Sequence, residues 1–185
     1  MERSDPFLVI NFGNSFLKGS SFIFSKKRIR FLDFFKVPYN PHSENDIQNK
    51  IQDLILGLER KEKIIFYSAF VKIGNNIGLK RVKEMNFFRE RFKKPISASE
   101  FGKMIRDCQR ESFLEAKNIF HKERFILAKA EIKKVTIDHK LIENPIGLPG
   151  RMIFLRIANL YLPQKFYKIL KKTFSELDIK ISFLL

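Results

Sequence analysis

The order of hydrophobic and polar residues predicts that the chain begins with short strands. The run FLVINF at 7–12 is apolar and ends in a polar turn that contains glycine. Between residues 19 and 37 apolar and polar residues alternate with the period of two that is typical of half-buried strands, and the basic turn Ser25-Lys26-Lys27 interrupts them. We therefore expect three strands in a meander.

Three later stretches have apolar residues at the spacing of an amphipathic helix. The stretch 43–60 has a serine that can cap its first turn, and 96–120 opens with Ser97-x-x-Glu100, the pattern of a capping box. The third stretch, 163–177, has a proline in its first turn and lysines on its outward side. We expect a helix in each of the three.

The remaining apolar stretches predict further strands. They comprise 63–73, an edge strand with loops within 75–95, a strand pair or one long bent strand at 123–138, 151–162 and 179–185. The order of elements indicates two α+β units. We expect a β-β-β-α-β unit within residues 1–94 and a helix–strand–strand–helix–strand unit within residues 95–185.

The formal net charge of +16 suggests nucleic acid or an anionic membrane surface as a partner. The charge is spread evenly, however, with 19 Lys/Arg against 10 Asp/Glu in residues 1–94 and 17 against 10 in residues 95–185. This distribution favours a generally basic protein over a nucleic-acid-binding arm. A single cysteine excludes an internal disulfide, and the N-terminus lacks the apolar core of a signal peptide, which fits a reducing cytoplasm.

The candidate metal ligands and nucleophiles do not form a recognisable motif. The three histidines, His42, His121 and His139, are not spaced as metal ligands, and none adjoins a cysteine. Cys108 falls on the apolar side of the second predicted helix, which favours a buried structural thiol over a reactive one.

The N-terminal turn is the sharper candidate site. The sequence LVINFGNSFLKGSSF predicts a strand, a tight polar turn and a second strand that carries a lysine. Such a turn can present backbone N–H groups and small polar side chains to an anion such as phosphate, although a plain hairpin turn has the same pattern. The candidate binding residues are Asn11, Gly13, Asn14, Ser15 and Lys18.

Together these segments resemble the actin-like ATPases, and among them the bacterial cell division protein FtsA family. That family opens with a strand followed by Asp-x-Gly-Thr/Ser-x-x-x-Lys, and the matching stretch here is NFGNSFLK at 11–18. Its inserted module resembles ISASEF at 96–101, ENPIGLPG at 143–150, and the strand, helix and strand that follow. The resemblance implies a partial actin-like (ribonuclease-H-like) subdomain in residues 1–94 and an FtsA-type inserted interaction module in residues 95–185.

Two departures from the family affect the expected activity. Asn11 stands where the family has an aspartate that helps to organise the metal and the attacking water. The family's second phosphate loop and adenosine-binding residues would lie beyond residue 185. We therefore expect no catalytic residues, no bound metal, no cofactor bound by this chain alone and no enzyme activity, with ATP and magnesium as the cofactors of a complete protein.

The resemblance also implies partners and a location. The expected partners are division proteins, namely an FtsZ-type filament and downstream divisome components, with self-association as a further option. The expected location is the cytoplasm, at the inner face of the membrane at the division site, with indirect membrane contact and no specific nucleic acid. The alternatives are an actin-like pilus-assembly protein, an active ATPase completed by a C-terminal half, and a basic nucleic-acid binder.

Two structural expectations complete the sequence-based picture. In the segment 143–150, a proline fixes φ, while Gly147 and Gly150 supply the positive φ of a tight reversal, so this segment is structural. The interaction surface is expected in residues 95–185, at exposed strand edges and on a basic helix face. That helix face consists of Lys165, Lys168, Lys171 and Lys172.

Overall fold

A computed structural model describes residues 5–25, 27–121 and 123–185. Lys26, part of the predicted basic turn, lies outside the described residues. The described elements are β1 (Asp5–Phe12), β2 (Phe16–Ser25), β3 (Arg28–Pro38), α1 (Glu44–Glu62), β4 (Ser68–Ile73), β5 (Leu79–Phe88), α2 (Ala98–Phe120), β6 (Phe125–Ile137), β7 (Lys140–Leu141), β8 (Met152–Pro163), α3 (Gln164–Glu176) and β9 (Lys180–Leu184). The predicted mixture of strands and helices is confirmed.

The chain folds into two units whose division differs from the predicted one at residues 94 and 95. The first unit consists of the chain up to Gly78 together with Leu162–Leu184, and the second contains Leu79–Tyr161. Helix α3 and strand β9 were expected in the second unit, but β9 pairs in parallel with β4 of the first sheet. A parallel neighbour needs a crossover connection, and the pattern of a strand does not reveal which sheet it joins.

The first unit is a five-stranded sheet with the order β3-β2-β1-β4-β9. Strands β1, β2 and β3 form the predicted antiparallel meander, whereas β4 runs parallel to β1. Both helices of this unit pack on one face of the sheet. A Cβ added to Gly19 of β2 would collide with Leu54 of α1, and the ring of Phe166 on α3 meets that of Phe12 edge-on at 5.5 Å. We call the opposite side the outer face.

Helix α1 forms where its sequence predicts it. The side chain of Ser43 accepts a hydrogen bond from the Asp46 N–H at the first turn, where acidic residues also favour the helix dipole. One apolar stripe is buried against the sheet, as expected from the spacing. It consists of Ile47, Ile51, Leu54, Ile55 and Leu58.

The second unit is a four-stranded sheet with the order β5-β8-β6-β7, and α2 covers one of its faces. Ser97 caps α2 by accepting from the Glu100 N–H at 3.1 Å, so the predicted cap is confirmed. The segment predicted as a strand pair or one bent strand is mainly the single strand β6. The hydrophobic core of the second unit lies between α2 and the sheet. It consists of Ile96, Phe101, Met104, Cys108, Val135, Ile137, Ile153, Leu155 and Ile157.

The segment 143–150 is a structural connection into β8, as expected, but its two glycines act differently. Gly147 has a φ of 88°, in the region that favours glycine. Gly150 was expected to have a positive φ as well, and this is wrong. It is buried, and an added Cβ would overlap the side chain of Ile137, so close packing is what requires a glycine there.

Candidate anion-binding site

The turn between β1 and β2 is held by main-chain hydrogen bonds and by one buried tyrosine. The Gly13 N–H donates to the carbonyl of Phe16 at 3.0 Å, which closes the turn. The Tyr39 hydroxyl donates to the Gly13 carbonyl at 2.7 Å, and the Tyr39 N–H donates to the Ser15 carbonyl at 3.0 Å. The end of β3 therefore fixes the position of this turn.

Tyr39 was not among the residues singled out from the sequence. Its side chain is buried, and this burial raises the pKa of Tyr39 to about 12. The hydroxyl therefore remains a hydrogen-bond donor throughout the physiological pH range. The hydrogen bond from Tyr39 to the Gly13 carbonyl therefore persists when other groups gain or lose a proton.

A row of three lysines lies on the outer face beside this turn. Asn11 of β1 is paired in register with Lys18 of β2 and with Lys72 of β4, and Lys18 is paired with Lys36 of β3. Residues paired in this way point to the same side of a sheet. Lys18, Lys36 and Lys72 therefore form a line across the strands, interrupted only by Asn11, and we call these three the lysine row.

Aromatic rings lie beside two of the three lysines of the row. The Lys18 Nζ lies 4.8 Å from the centre of the Phe34 ring, and the Lys36 Nζ lies 3.8 Å from that of Phe16. No ion pair within the described residues involves Lys18, Lys36 or Lys72. Their charges add without local compensation, so this part of the outer face attracts anions.

The structure brings together only part of the predicted phosphate loop. Asn11 and Lys18 face each other across β1 and β2, whereas Gly13, Asn14 and Ser15 form the turn beyond them. The Gly13 N–H is used to close the turn and so is not free to bind phosphate. Across the described ranges, no hydrogen bond engages the N–H of Asn14 or Ser15, and both residues are exposed.

Two lysines of the row, Lys36 and Lys72, were missed by sequence reasoning. Each follows the alternation of its own strand, but only the pairing of β3 and β4 with their neighbours aligns them with Lys18. That pairing joins residues 18 or more positions apart along the chain. A register of this kind could not be derived from the local pattern.

This arrangement supplies positive charge and hydrogen-bonding groups. The lysine row supplies positive charge, and Asn11 supplies an amide that can donate or accept hydrogen bonds. Asn11 cannot act as the carboxylate that would hold a metal ion or activate water. Among the described residues, no group of three or more His, Cys, Asp or Glu side chains could hold a metal ion.

Cys108, which the sequence offered as a possible reactive thiol, lies in the packed interior. Cys108 is on the buried side of α2, with its Sγ 3.8 Å from the Lys83 carbonyl, and burial raises the pKa of this thiol. The expectation of a buried structural cysteine is confirmed.

The basic face of α3 does not belong to the unit in which it was expected. Helix α3 packs in the first unit, because its apolar stripe covers the sheet that β9 completes. Its four lysines are exposed, and Lys172 lies 3.9 Å from Glu176 on the same helix. No helix in the described ranges is long and apolar enough to cross a membrane.

Comparison with known proteins gives similarities of structure only. No protein-family model and no curated protein matches the sequence. A chain of a solved structure described as the PilM-PilN type IV pilus biogenesis complex is similar to this chain, with a TM-score of 0.54 and 12% identity over 96% of this chain and 46% of that one.

A Bacteroides thetaiotaomicron protein described as having an actin-like ATPase fold and unknown function has a TM-score of 0.44 and 12% identity, over 97% of this chain and 51% of that one. The chain thus spans about half the length of the solved structures it matches. The likeness to the PilM-PilN chain shows a shared fold, which in this chain is a mixed α/β architecture with sheets and three helices in the described residues.

Proposed function

We propose that this chain is an actin-like assembly module of a bacterial pilus-assembly complex. The observation that carries the proposal is the match to the PilM-PilN complex over 96% of this chain, which involves both units and not the five-stranded sheet alone. In this role the protein binds partner proteins and acts as a scaffold, in the cytoplasm at the inner face of the membrane.

The site geometry supports binding in preference to catalysis. Phosphoryl transfer depends on positioned charges and metal ions that surround the phosphate from several sides. The lysine row offers positive charge from one side, and Asn11 offers no negative charge for a metal ion. We therefore propose that the chain alone lacks ATPase activity and that ATP and magnesium bind only to a complete protein.

A division role of the FtsA type is the second candidate, and the segment 143–150 favours it. This segment has the sequence expected for the FtsA insert, and it makes a tight connection in which Gly147 has a positive φ and Gly150 packs on Ile137. The partners would then be an FtsZ-type filament, downstream divisome components and a second copy of the chain.

Deleting the gene in its own organism distinguishes the two roles. We expect cells without the gene to lose surface pili, scored by electron microscopy, while their length stays normal. Long undivided cells with intact pili would support the division role instead. Cells with normal pili and normal length would overturn both proposals. Complementation with the unaltered gene is the control, since it restores the parent phenotype only if the deletion itself caused the change.

A further inference from the structure

The outer face of the first sheet carries a row of aromatic side chains that are exposed or half-buried. Four phenylalanines from four neighbouring strands touch in sequence: Phe31, Phe22, Phe7 and Phe70 have successive ring-centre separations of 5.6, 5.4 and 5.5 Å. We call these four the phenylalanine row. A contiguous apolar surface of this kind marks an interaction site on a soluble protein.

A groove of about 540 Å³ runs along this face, entirely within the first unit. Apolar side chains line most of it, together with Asp5 and Ser68. The apolar lining residues are Phe7, Val9, Phe24, Ile29, Phe70 and Leu184. The groove therefore offers shape as well as apolar area to a bound segment.

The strands beneath the groove indicate which type of element covers it. β1, β4 and β9 run parallel to one another, and parallel strands are normally covered by helices on both faces. In this unit α1 and α3 lie on one face, whereas Phe70 of the parallel strand β4 is 37% exposed on the other. An α-helix with an apolar stripe at every third or fourth residue suits such a groove.

Charge indicates the chemistry of that helix. The lysine row lies on the same face as the groove, Lys180 of β9 is exposed there too, and Asp5 is the acidic residue that lines the groove. An acidic partner would meet uncompensated positive charge, which speeds its encounter and fixes its orientation. Two copies of the chain packed face to face would instead bring lysine rows together.

We propose that the outer face docks an acidic amphipathic helix of a partner protein. The apolar stripe of the helix fills the groove over the phenylalanine row, and its acidic side chains lie against the lysine row. This inference deepens the proposed function, since it assigns the surface and the chemistry of the partner. It is tested with purified components, so it can fail while the deletion experiment succeeds, or the reverse.

The test uses the purified chain and two synthetic helical peptides of about 18 residues, roughly 27 Å of helix. Both peptides carry leucines at positions i, i+3, i+4 and i+7 of successive turns. One has glutamates beside the leucine stripe, and its matched control has lysines. By fluorescence anisotropy we expect the glutamate peptide to bind at least about tenfold more tightly, with an affinity that falls as salt is added.

Two pairs of variants locate the binding site. Ile29→Asp places a charge in the groove, and Ile65→Asp makes the same change in the α1–β4 connection; Ile29 and Ile65 are 64% and 62% exposed. We expect Ile29→Asp to weaken peptide binding at least about tenfold and Ile65→Asp to change it less than about twofold.

The second pair of variants tests the lysine row. We expect Lys18→Glu with Lys72→Glu to abolish the preference for the glutamate peptide over the lysine peptide. The control, Lys165→Glu with Lys168→Glu on α3, should keep that preference.

Several results would overturn the inference. Equal binding of the two peptides, or equal effects of Ile29→Asp and Ile65→Asp, would show that the groove does not recognise an acidic helix. Binding to phosphatidylglycerol vesicles that Ile29→Asp removes, without peptide binding, would make the face a membrane surface. A dimer that Ile29→Asp dissociates, seen by sedimentation without peptide binding, would make a second copy the occupant.

Discussion

Arg89 and Glu100 form a bidentate ion pair at the start of α2. The Arg89 Nε donates to Oε1 of Glu100 at 2.6 Å, and its Nη2 donates to Oε2 at 3.1 Å. The same guanidinium donates to the carbonyls of Lys94 and Gly150 at 2.9 and 3.0 Å, and the Arg89 side chain is only 4% exposed. One buried arginine thus joins the end of β5, the first turn of α2 and the connection into β8.

Replacing Arg89 with alanine is expected to destabilise the protein strongly. The change leaves the buried Gly150 carbonyl, the part-buried Lys94 carbonyl and the Glu100 carboxylate without their donor, which costs about 3 kcal/mol in the free energy of unfolding. Arg156→Ala is the control, because the Arg156–Glu84 pair has the same 2.6 Å separation but is 42% and 48% exposed, and it should cost less than about 1 kcal/mol. Urea denaturation measures both, and similar losses would contradict the assigned role of Arg89.

The Glu100 carboxylate makes stability depend on pH in the acid range. The hydrogen bond and the charge of Arg89, with a further contribution from the Ser97 backbone, lower the pKa of Glu100 below its ordinary value of 4.5. A carboxyl whose pKa is lower in the folded state stabilises the fold above pH 4.5, and this contribution disappears as the pH falls through the lowered pKa.

Glu100→Gln should therefore be less stable than the parent at neutral pH, and the difference should shrink as the pH decreases. Urea denaturation between about pH 7 and about pH 3 measures this convergence. The variant keeps part of the parent's pH dependence of stability, because the backbone N–H groups of Met152 and Arg151 also lower the pKa of Asp138. A stability difference that is constant or grows in acid would rule out this role for Glu100.

The two glycines of the segment 143–150 are expected to respond differently to alanine. Gly150→Ala forces a methyl group into Ile137 in a packed region, which costs about 1–3 kcal/mol in the free energy of unfolding. Gly147→Ala meets no atom within 4 Å, so its cost is the backbone strain of a positive φ, about 1 kcal/mol. Shortening the Ile137 side chain to alanine should reduce the further cost of Gly150→Ala but not that of Gly147→Ala.

A double-mutant cycle from denaturant unfolding tests this distinction. Coupling between positions 137 and 150, with none between 137 and 147, is the expected result. Equal coupling at both positions would show that close packing is not what requires glycine at position 150.

Local patterns predicted the elements well because their causes are local. Ser43 and Ser97 cap their helices as the sequence predicts, and the buried stripe of α1 follows from the spacing of its apolar residues. The predicted strand 63–73 begins only at Ser68, because α1 continues to Glu62 and a connection follows. Apolar residues in that connection resemble a strand in sequence.

The assembly of the elements was less predictable because it depends on contacts distant in sequence. The chain enters the second unit at Leu79 and returns to the first sheet at Leu162, so a division of the sequence into consecutive halves fails. The candidate site has the same character. Lys18 can be recognised from the sequence because it lies beside the turn. Lys36 and Lys72 are aligned with it only by the register of the strands.

The chain alone is expected to show no ATP hydrolysis above the buffer rate. Asn11 cannot supply the charge of a carboxylate, and the lysine row could contact a phosphate from one side only. A coupled assay for released phosphate, with magnesium and ATP in excess, measures this. Turnover that rises above the buffer rate and disappears in Lys18→Ala would contradict the expectation, because it would assign a catalytic site to the β1–β2 turn.

The central claim is that the protein acts as an assembly module through its outer face. The most direct measurement is quantitative mass spectrometry of the proteins that co-purify with the tagged chain after crosslinking in its own cells. We predict enrichment of pilus-assembly proteins, reduced about tenfold by Lys18→Glu with Lys72→Glu and retained with Lys165→Glu and Lys168→Glu. Absence of pilus-assembly proteins, or their equal recovery with both double variants, would contradict the account.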